Sequence, residues 1–325
     1  MNFLNINKNK IIKGFLLLFL MAMLLYPASS FQGASTGLLL WFHNVLPNLL
    51  PFVILSNLMV RLNITKKLSK IFYPILGRLF KISCEGCYPI IIGFLSGIPM
   101  GAKTTADLLN EEKISLKEGQ FLISMCNNAS PMFIIGYIAI TQLKLPNFNY
   151  VLFGIIYGSA ILSALIYRSI ETLFTKKAPL HERTVTITSN APKYSRFSFA
   201  LLDQSIMNGF EIVTKIGGYI ILFSILAQII KGIGPDTSFL KAFLMGLFEI
   251  TTGISQICNT RLDINTKIVL VTAITSFGGL SGLAQTKSVL GESRLSINSY
   301  LIVKLLSALL SILFAWIYVT IFPLH

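Results

Sequence analysis

Gly93-Phe94-Leu95-Ser96-Gly97-Ile98-Pro99-Met100-Gly101-Ala102-Lys103 is the stretch whose reading decides the fold. It closes an uncharged window, 86–102, that is too short and too broken by Gly and Pro for an ordinary spanning helix. Backbone of that kind survives at membrane depth only when buried in protein or lining a cavity, so 86–102 is expected to be a re-entrant helical hairpin. About 150 residues later Gly246-Leu247-Phe248-Glu249-Ile250-Thr251-Thr252-Gly253-Ile254-Ser255 is a loose counterpart, in a second hairpin expected over 242–260. At a similar offset, Cys126-Asn127-Asn128-Ala129-Ser130-Pro131 is answered by Ser276-Phe277-Gly278-Gly279-Leu280-Ser281. Paired apolar segments interrupted at corresponding points mark the binding site of secondary transporters.

The rest of the chain agrees with a membrane setting. Of its 325 residues 54% are hydrophobic and only 12% charged, more apolar surface than a soluble domain of this size can hide. The net charge of +14 does not point to nucleic acid, because the basic residues sit in loops beside apolar spans. Charge-free windows place two spans in 14–60 and others at 119–143, 145–167, 212–230, 268–286 and 295–322. With the N-terminus cytoplasmic, 20 of the 27 Lys and Arg fall on the inner side, as the positive-inside bias requires. The same count sends the first hairpin in from inside and the second from outside. The expectation is an all-α polytopic membrane protein, an inverted repeat of about seven transmembrane helices and two re-entrant hairpins.

Four segments follow. Residues 1–33 form an N-terminal transmembrane helix, its lysines and apolar run resembling a signal peptide, with a turn at Pro27–Gln32. Residues 34–170 form the first repeat, including an amphipathic helix at 61–81 with six basic residues and no acid. That helix is expected to lie on the inner membrane surface, bent at Pro74, its lysines at lipid headgroups. Residues 171–196 read as a cytoplasmic linker, and 197–325 as the second, inverted repeat. Ser115-Leu116-Lys117-Glu118 reads as a capping box.

Candidate ligand contacts sit at the interruptions. Ser96, Gly97, Gly101 and Lys103 shape the first hairpin, where helix ends and close backbone can meet a solute and Lys103 adds a charge. Asn127, Asn128 and Ser130 offer side chains that donate and accept, and Pro131 frees a carbonyl. Glu249 is the lone charge in its window, and a buried carboxylate in a membrane is functional by default. It suits coupling to Na+ or H+, ligand contact, or an ion pair with Lys103 or Lys215. Thr251 and Thr252 add hydroxyls, and Ser276, Gly278, Gly279, Ser281 and Gln285 mirror the first break. His43 reads as a hydrogen-bonded interior residue. Cys84-Glu85-Gly86-Cys87 lacks a second ligand pair nearby for a metal site. No enzyme motif is present, so no catalytic residue, metal or cofactor is expected, and transport would run on an ion gradient or downhill.

Taken together, the motifs from Gly97 to Lys103, Cys126 to Pro131, Glu249 to Gly253 and Ser276 to Ser281 resemble the YlbJ (SpoVV) family of sporulation integral membrane proteins. That family carries the nucleoside-recognition Gate domain and is similar to concentrative nucleoside transporters. The resemblance implies two Gate-like repeats and a carrier of dipicolinic acid, a small anionic substrate. It would move that substrate from the mother cell across the outer forespore membrane of a spore-forming bacterium. It leaves two rivals, a nucleoside or nucleobase permease and a non-transporting membrane protein of spore maturation. Trimeric assembly of the nucleoside transporters makes a homo-oligomer a further expectation.

Overall fold

The computed structural model describes residues 8–62, 64–174, 197–232 and 239–322. Most of the linker expected at 171–196 lies outside them; residues 171–174 continue a helix. Among the described residues the regular structure is helical: α1 (Lys8–Leu25), α2 (Pro27–Leu40), α3 (Leu46–Arg61), α4 (Ile64–Phe80), α5 (Cys87–Ser96), α6 (Met100–Asn110), α7 (Leu116–Cys126), α8 (Asn149–Phe174), α9 (Phe199–Gly232), α10 (Phe239–Phe248), α11 (Ile250–Cys258), α12 (Ile264–Phe277), α13 (Gly279–Leu290) and α14 (Ile297–Ile321). Trp41–Val45 and Phe133–Gln142 are π-helical. By length and apolarity, Pro146–Thr172, Phe199–Gly232, Ile264–Leu290 and Ile297–Ile321 can each cross a membrane, and two bent pairs raise the count to six. The chain is an all-α polytopic membrane protein. The window 119–143, expected as one span, falls outside this measure because it is two short helical pieces on either side of Asn127–Ser130.

The N-terminal turn is sharper than expected. Lys13–Leu25 and Pro27–Val45 meet at 105° around Tyr26, and Pro27 to Gln32 are already helical. Pro27 stands at the first helical position, where its missing N–H costs nothing, so it starts α2 rather than forming a loop. The boundary placed at residue 33 therefore cuts through a helix. α1 is exposed along Leu16, Leu17, Leu18, Leu24 and Leu25, apolar on several sides as a helix bathed in lipid is. α2 packs on α9 through Gly33 and Gly37, a small-xxx-small spacing that brings the backbones together. Trp41 Nε1 then donates to the Val213 carbonyl at 2.8 Å.

α4 stands at 99° to the preceding helix, and it runs unbroken through Pro74. Its apolar residues divide between two faces. Leu68, Leu76 and Phe80 pack on the protein, whereas Ile71, Ile75 and Leu79 are exposed beside Lys66, Lys67, Lys70 and Arg78. The capping box is only half made. Ser115 Oγ accepts from the Glu118 N–H at 3.2 Å, but the Glu118 carboxylate takes the Ser83 N–H at 2.6 Å and so ties α7 to the start of the first hairpin.

Two apolar cores hold the body together. One gathers α3 to α6, α7 up to Cys126, the middle of α9 and Tyr300 and Val303 of α14. The other gathers Ala129, Ile134 and Ile138, the first half of α8, α10 to α12, and Ala315 and Val319 of α14. α8 and α14 run through both. Between the cores lie buried polar residues: Asn127 and Asn128 just after α7, Ser159 on α8, and Lys304 and Ser307 on α14. The chain breaks fall at this belt.

Candidate functional site

The first hairpin is α5 and α6 joined by Gly97-Ile98-Pro99. Its return arm runs on to Asn110, well past the limit of 102 expected from charge, because Lys103 is neutralised in place: its Nζ donates to the Asp107 carboxylate at 2.7 Å, one turn along. The two arms approach closely at Gly93 and Gly101, both packed on the Cys126 carbonyl, where no Cβ fits. Gly97 takes φ +77°, the left-handed region that suits glycine, with Ser130 lying against it. The tip is thus fastened to the break that follows α7: the Ile98 N–H donates to the Asn128 carbonyl at 2.8 Å.

That break is made by Asn127 to Ser130, after which Ser130 Oγ accepts from the Phe133 N–H at 3.2 Å and restarts the helix. Asn127 is fully buried and works as a junction. Its Oδ1 accepts from the Ala102 N–H at 3.3 Å, capping the start of α6 from a neighbouring helix. Its Nδ2 donates to Thr286 Oγ1 at 2.8 Å and Tyr300 Oη at 3.0 Å, and the Tyr300 hydroxyl donates back to the Asn127 carbonyl. Asn128 Nδ2 donates to the Met125 carbonyl at 2.7 Å, while its Oδ1 accepts from Lys304 Nζ at 3.0 Å. Lys304 is 1% exposed.

The second hairpin is α10 and α11, broken at the single residue Glu249 and packed through Gly246 against Gly253. Glu249 is 3% exposed and caps α11: its carboxylate accepts from the Thr251 N–H at 3.1 Å, the Thr252 N–H at 2.7 Å and Thr252 Oγ1 at 2.9 Å. The ion pair with Lys103 or Lys215 does not form, because Lys103 is engaged by Asp107 and Lys215 by Glu211 at 2.6 Å. The Thr251 carbonyl accepts from Tyr137 Oη at 3.1 Å. α12 ends on Gly278 and α13 starts at Gly279, with φ of +87° and +69°. Gly279 lies against the Gly246 and Phe248 carbonyls, and Ile98 of the first tip reaches the spot where a side chain of Gly278 would stand. Both tips and both breaks therefore meet in one hub. Ser276 joins Ser159 and Ser307 in a buried hydroxyl cluster, and Ser281 Oγ accepts from Gln285 at 3.0 Å.

No protein-family model matches the chain, and no solved structure matches it. It is 27% identical to the sporulation integral membrane protein YlbJ of Bacillus subtilis (strain 168), over 97% of its own length and 83% of the relative's. This similarity supports membership of the YlbJ family.

The residues singled out from sequence do not form one site. Gly97, Asn127, Asn128, Thr251, Gly278 and Gly279 belong to the hub, and the side chains of Asn127 and Asn128 are spent on internal hydrogen bonds. Ser96 Oγ, at the first tip, is buried without a partner. Lys103 faces elsewhere, into a crevice of about 240 Å³ that it lines with Asn57, Asn208, Glu211, Lys215 and Ser288. Asn57 Nδ2 is buried there and unpartnered, a donor left for an acceptor. His43 is exposed, edge-on to Phe42, rather than interior. Cys84 and Cys87 carry free thiols beside the start of α5. Sequence reasoning missed Lys304, Tyr300 and Thr286. The signal was available in α14, where Tyr300, Lys304, Ser307 and Ser311 recur at helical spacing and make a polar stripe in an otherwise apolar span.

Proposed function

We propose that the protein is a secondary transporter of a small organic anion, dipicolinic acid first among them, carried from the mother cell across the outer forespore membrane. Similarity to a sporulation integral membrane protein supports a membrane role in sporulation. The observation that carries the transport reading is the hub, where two hairpin tips and two helix breaks meet in a polar belt between two apolar cores. Discontinuous helices at such a point let one half rock against the other about a fixed site. The N-terminus is cytoplasmic in this reading, and the two halves are inverted repeats.

The crevice at Lys103 receives the anion and its Asn57 amide helps to orient it. Glu249, a buried carboxylate with no cation paired to it among the described residues, is the coupling group for Na+ or H+. A strain lacking the gene should make dipicolinate yet retain it in the mother cell, with wild type restoring spore dipicolinate and Lys103→Ala failing. Normal spore dipicolinate in the deletion strain would overturn the reading. Glu249→Gln, whose one amide oxygen can keep the bonds from Thr252, should still fold while abolishing gradient-driven accumulation. Unchanged accumulation would remove Glu249 from coupling. A neutral nucleoside is the second reading, in which the amide and hydroxyl groups of Asn127, Thr286 and Tyr300 exchange their present bonds to one another for bonds to the ligand. Competition by uridine against labelled dipicolinate separates the two.

A further inference from the structure

Lys304 is the residue that the hub leaves unexplained. It lies about two turns into α14, 1% exposed; its ammonium makes one hydrogen bond, to the neutral Asn128 amide oxygen, and stands 6.0 Å from the centre of the Tyr300 ring. Among the described residues no carboxylate lies within ion-pair distance of it. An ammonium has three donors, and burying a charge without a counter-ion costs several kcal/mol by order of magnitude. A cation kept at that cost in a membrane span marks a functional position.

Its surroundings suit an anion. α13 begins beside it: a Cβ built on Gly278 would make ordinary contact, 3.4 Å from Ile98 Cδ1 and 3.7 Å from Lys304 Cε, so the lysine stem runs alongside the start of α13. The start of α13 has no side-chain cap, whereas α6 is capped by Asn127 and α11 by Glu249. A helix N-terminus without a cap presents N–H groups and partial positive charge. Ser96 Oγ, unpartnered and buried, sits on the hairpin tip whose Ile98 reaches Gly278.

From these observations we infer that Lys304 and the N-terminus of α13 form a carboxylate-binding site inside the hub, closed off here by the Lys304–Asn128 hydrogen bond. The inference rests on the anion-transport reading and names the position that the carboxylate reaches after the crevice. One carboxylate of a small dicarboxylate would replace Asn128 on the ammonium and take the unspent α13 N–H groups. Lys103 then serves at the mouth and Lys304 at the centre.

The test uses the purified full chain with two readouts. Binding is followed as the dipicolinate-dependent rise in unfolding temperature in detergent, with benzoate and uridine alongside. Transport is uptake of labelled dipicolinate into proteoliposomes. Lys304→Met, which keeps the stem and removes the charge, should raise the dipicolinate concentration needed for stabilisation about 30-fold, the loss expected for a charge-assisted hydrogen bond. Lys304→Arg should retain most of the binding, and Asn128→Ala, which removes the ammonium's present partner along with the bond to the Met125 carbonyl, should leave the affinity of the folded protein within a few fold. If Lys304→Met does not fold, Lys304→Gln takes its place.

A purely structural lysine would give the opposite pattern, with Lys304→Met and Asn128→Ala destabilising alike and dipicolinate affinity unchanged. That result overturns the inference. Wild type that binds through Lys304 without carrying dipicolinate keeps the site and overturns transport. Wild type that carries it equally well with Lys304→Met keeps transport and overturns the site. Absence of binding and transport for every probe overturns both.

Discussion

The two halves of the hub solve the same problem with different chemistry. In the first, the break is Asn127 to Ser130 and the tip carries no charge; side-chain amides stitch tip, break and α14 together. In the second, the break is Gly278-Gly279 and the tip is Glu249; backbone turns by positive φ and a carboxylate caps α11. The first half is held by hydrogen bonds across elements, the second by local ones and by absence of side chains. A break made of amides is fixed, because buried donors and acceptors penalise every geometry that leaves them unpaired. A break made of glycines lets other elements come close: Ile98 and the Lys304 stem lie beside Gly278, and Ile250 with the Gly246 and Phe248 carbonyls beside Gly279.

The largest expected effect tests whether the hairpins are equivalent in packing. Gly93→Ala would drive a methyl into the Cys126 carbonyl, and Gly253→Ala into the backbone of Gly246. Neither neighbour is a flexible side chain, so each substitution should cost about 4 kcal/mol or more and deplete the folded fraction in size-exclusion chromatography. Tolerance at Gly253 alone would show the second hairpin to be the looser one.

A smaller difference is expected at the breaks. Asn127→Ala removes the cap of α6 and the bonds to Thr286 and Tyr300, and should cost about 3 kcal/mol, read as a fall in unfolding temperature in detergent. Gly278→Ala costs the left-handed penalty, about 1–2 kcal/mol, since the space beside it is open to a methyl. Equal losses would contradict the contrast between a break stitched by amides and one turned by glycines.

The smallest effect concerns the corresponding helices α7 and α12. Ser115 caps the first and Asp263 the second, where its carboxylate accepts from the Thr266 N–H at 2.8 Å. That bond holds the Asp263 carboxyl below its ordinary range. Its stabilisation is present above the unfolded carboxylate range and is lost as pH falls through the lowered folded value. Asp263→Asn should flatten this small acid-side decline, while Ser115→Ala should lower stability at all pH values alike. A pH profile of the unfolding temperature that Asp263→Asn leaves unaltered would remove the distinction.

Much of this was legible in the residues. Gly and Pro interruptions located both hairpins and both breaks, since these residues act on the local backbone whatever surrounds them. The charge pattern located the amphipathic helix α4, because each of its exposed residues, such as Lys70, Ile71 and Arg78, answers to its own surroundings. The return arm to Asn110 was not legible, because its Lys103–Asp107 pair hides two charges that a window count treats as an end. Nor was the separation of Lys103 from Asn127, although only the residues 104–126 join them. Side-chain direction at a hairpin depends on which partner the arm meets.

By itself, the amino-acid sequence determined that the chain is helical and membrane-embedded, and where its helices are interrupted. These properties follow from local terms, namely hydropathy, proline's missing donor and glycine's permitted φ. Only the tertiary structure decided that the four breaks share one hub, that Glu249 caps a helix rather than pairing with a lysine, and that Lys304 lies at the centre. Those are long-range choices: a buried polar group takes whichever partner the packing brings within about 3 Å, and spacing along the chain does not encode that partner.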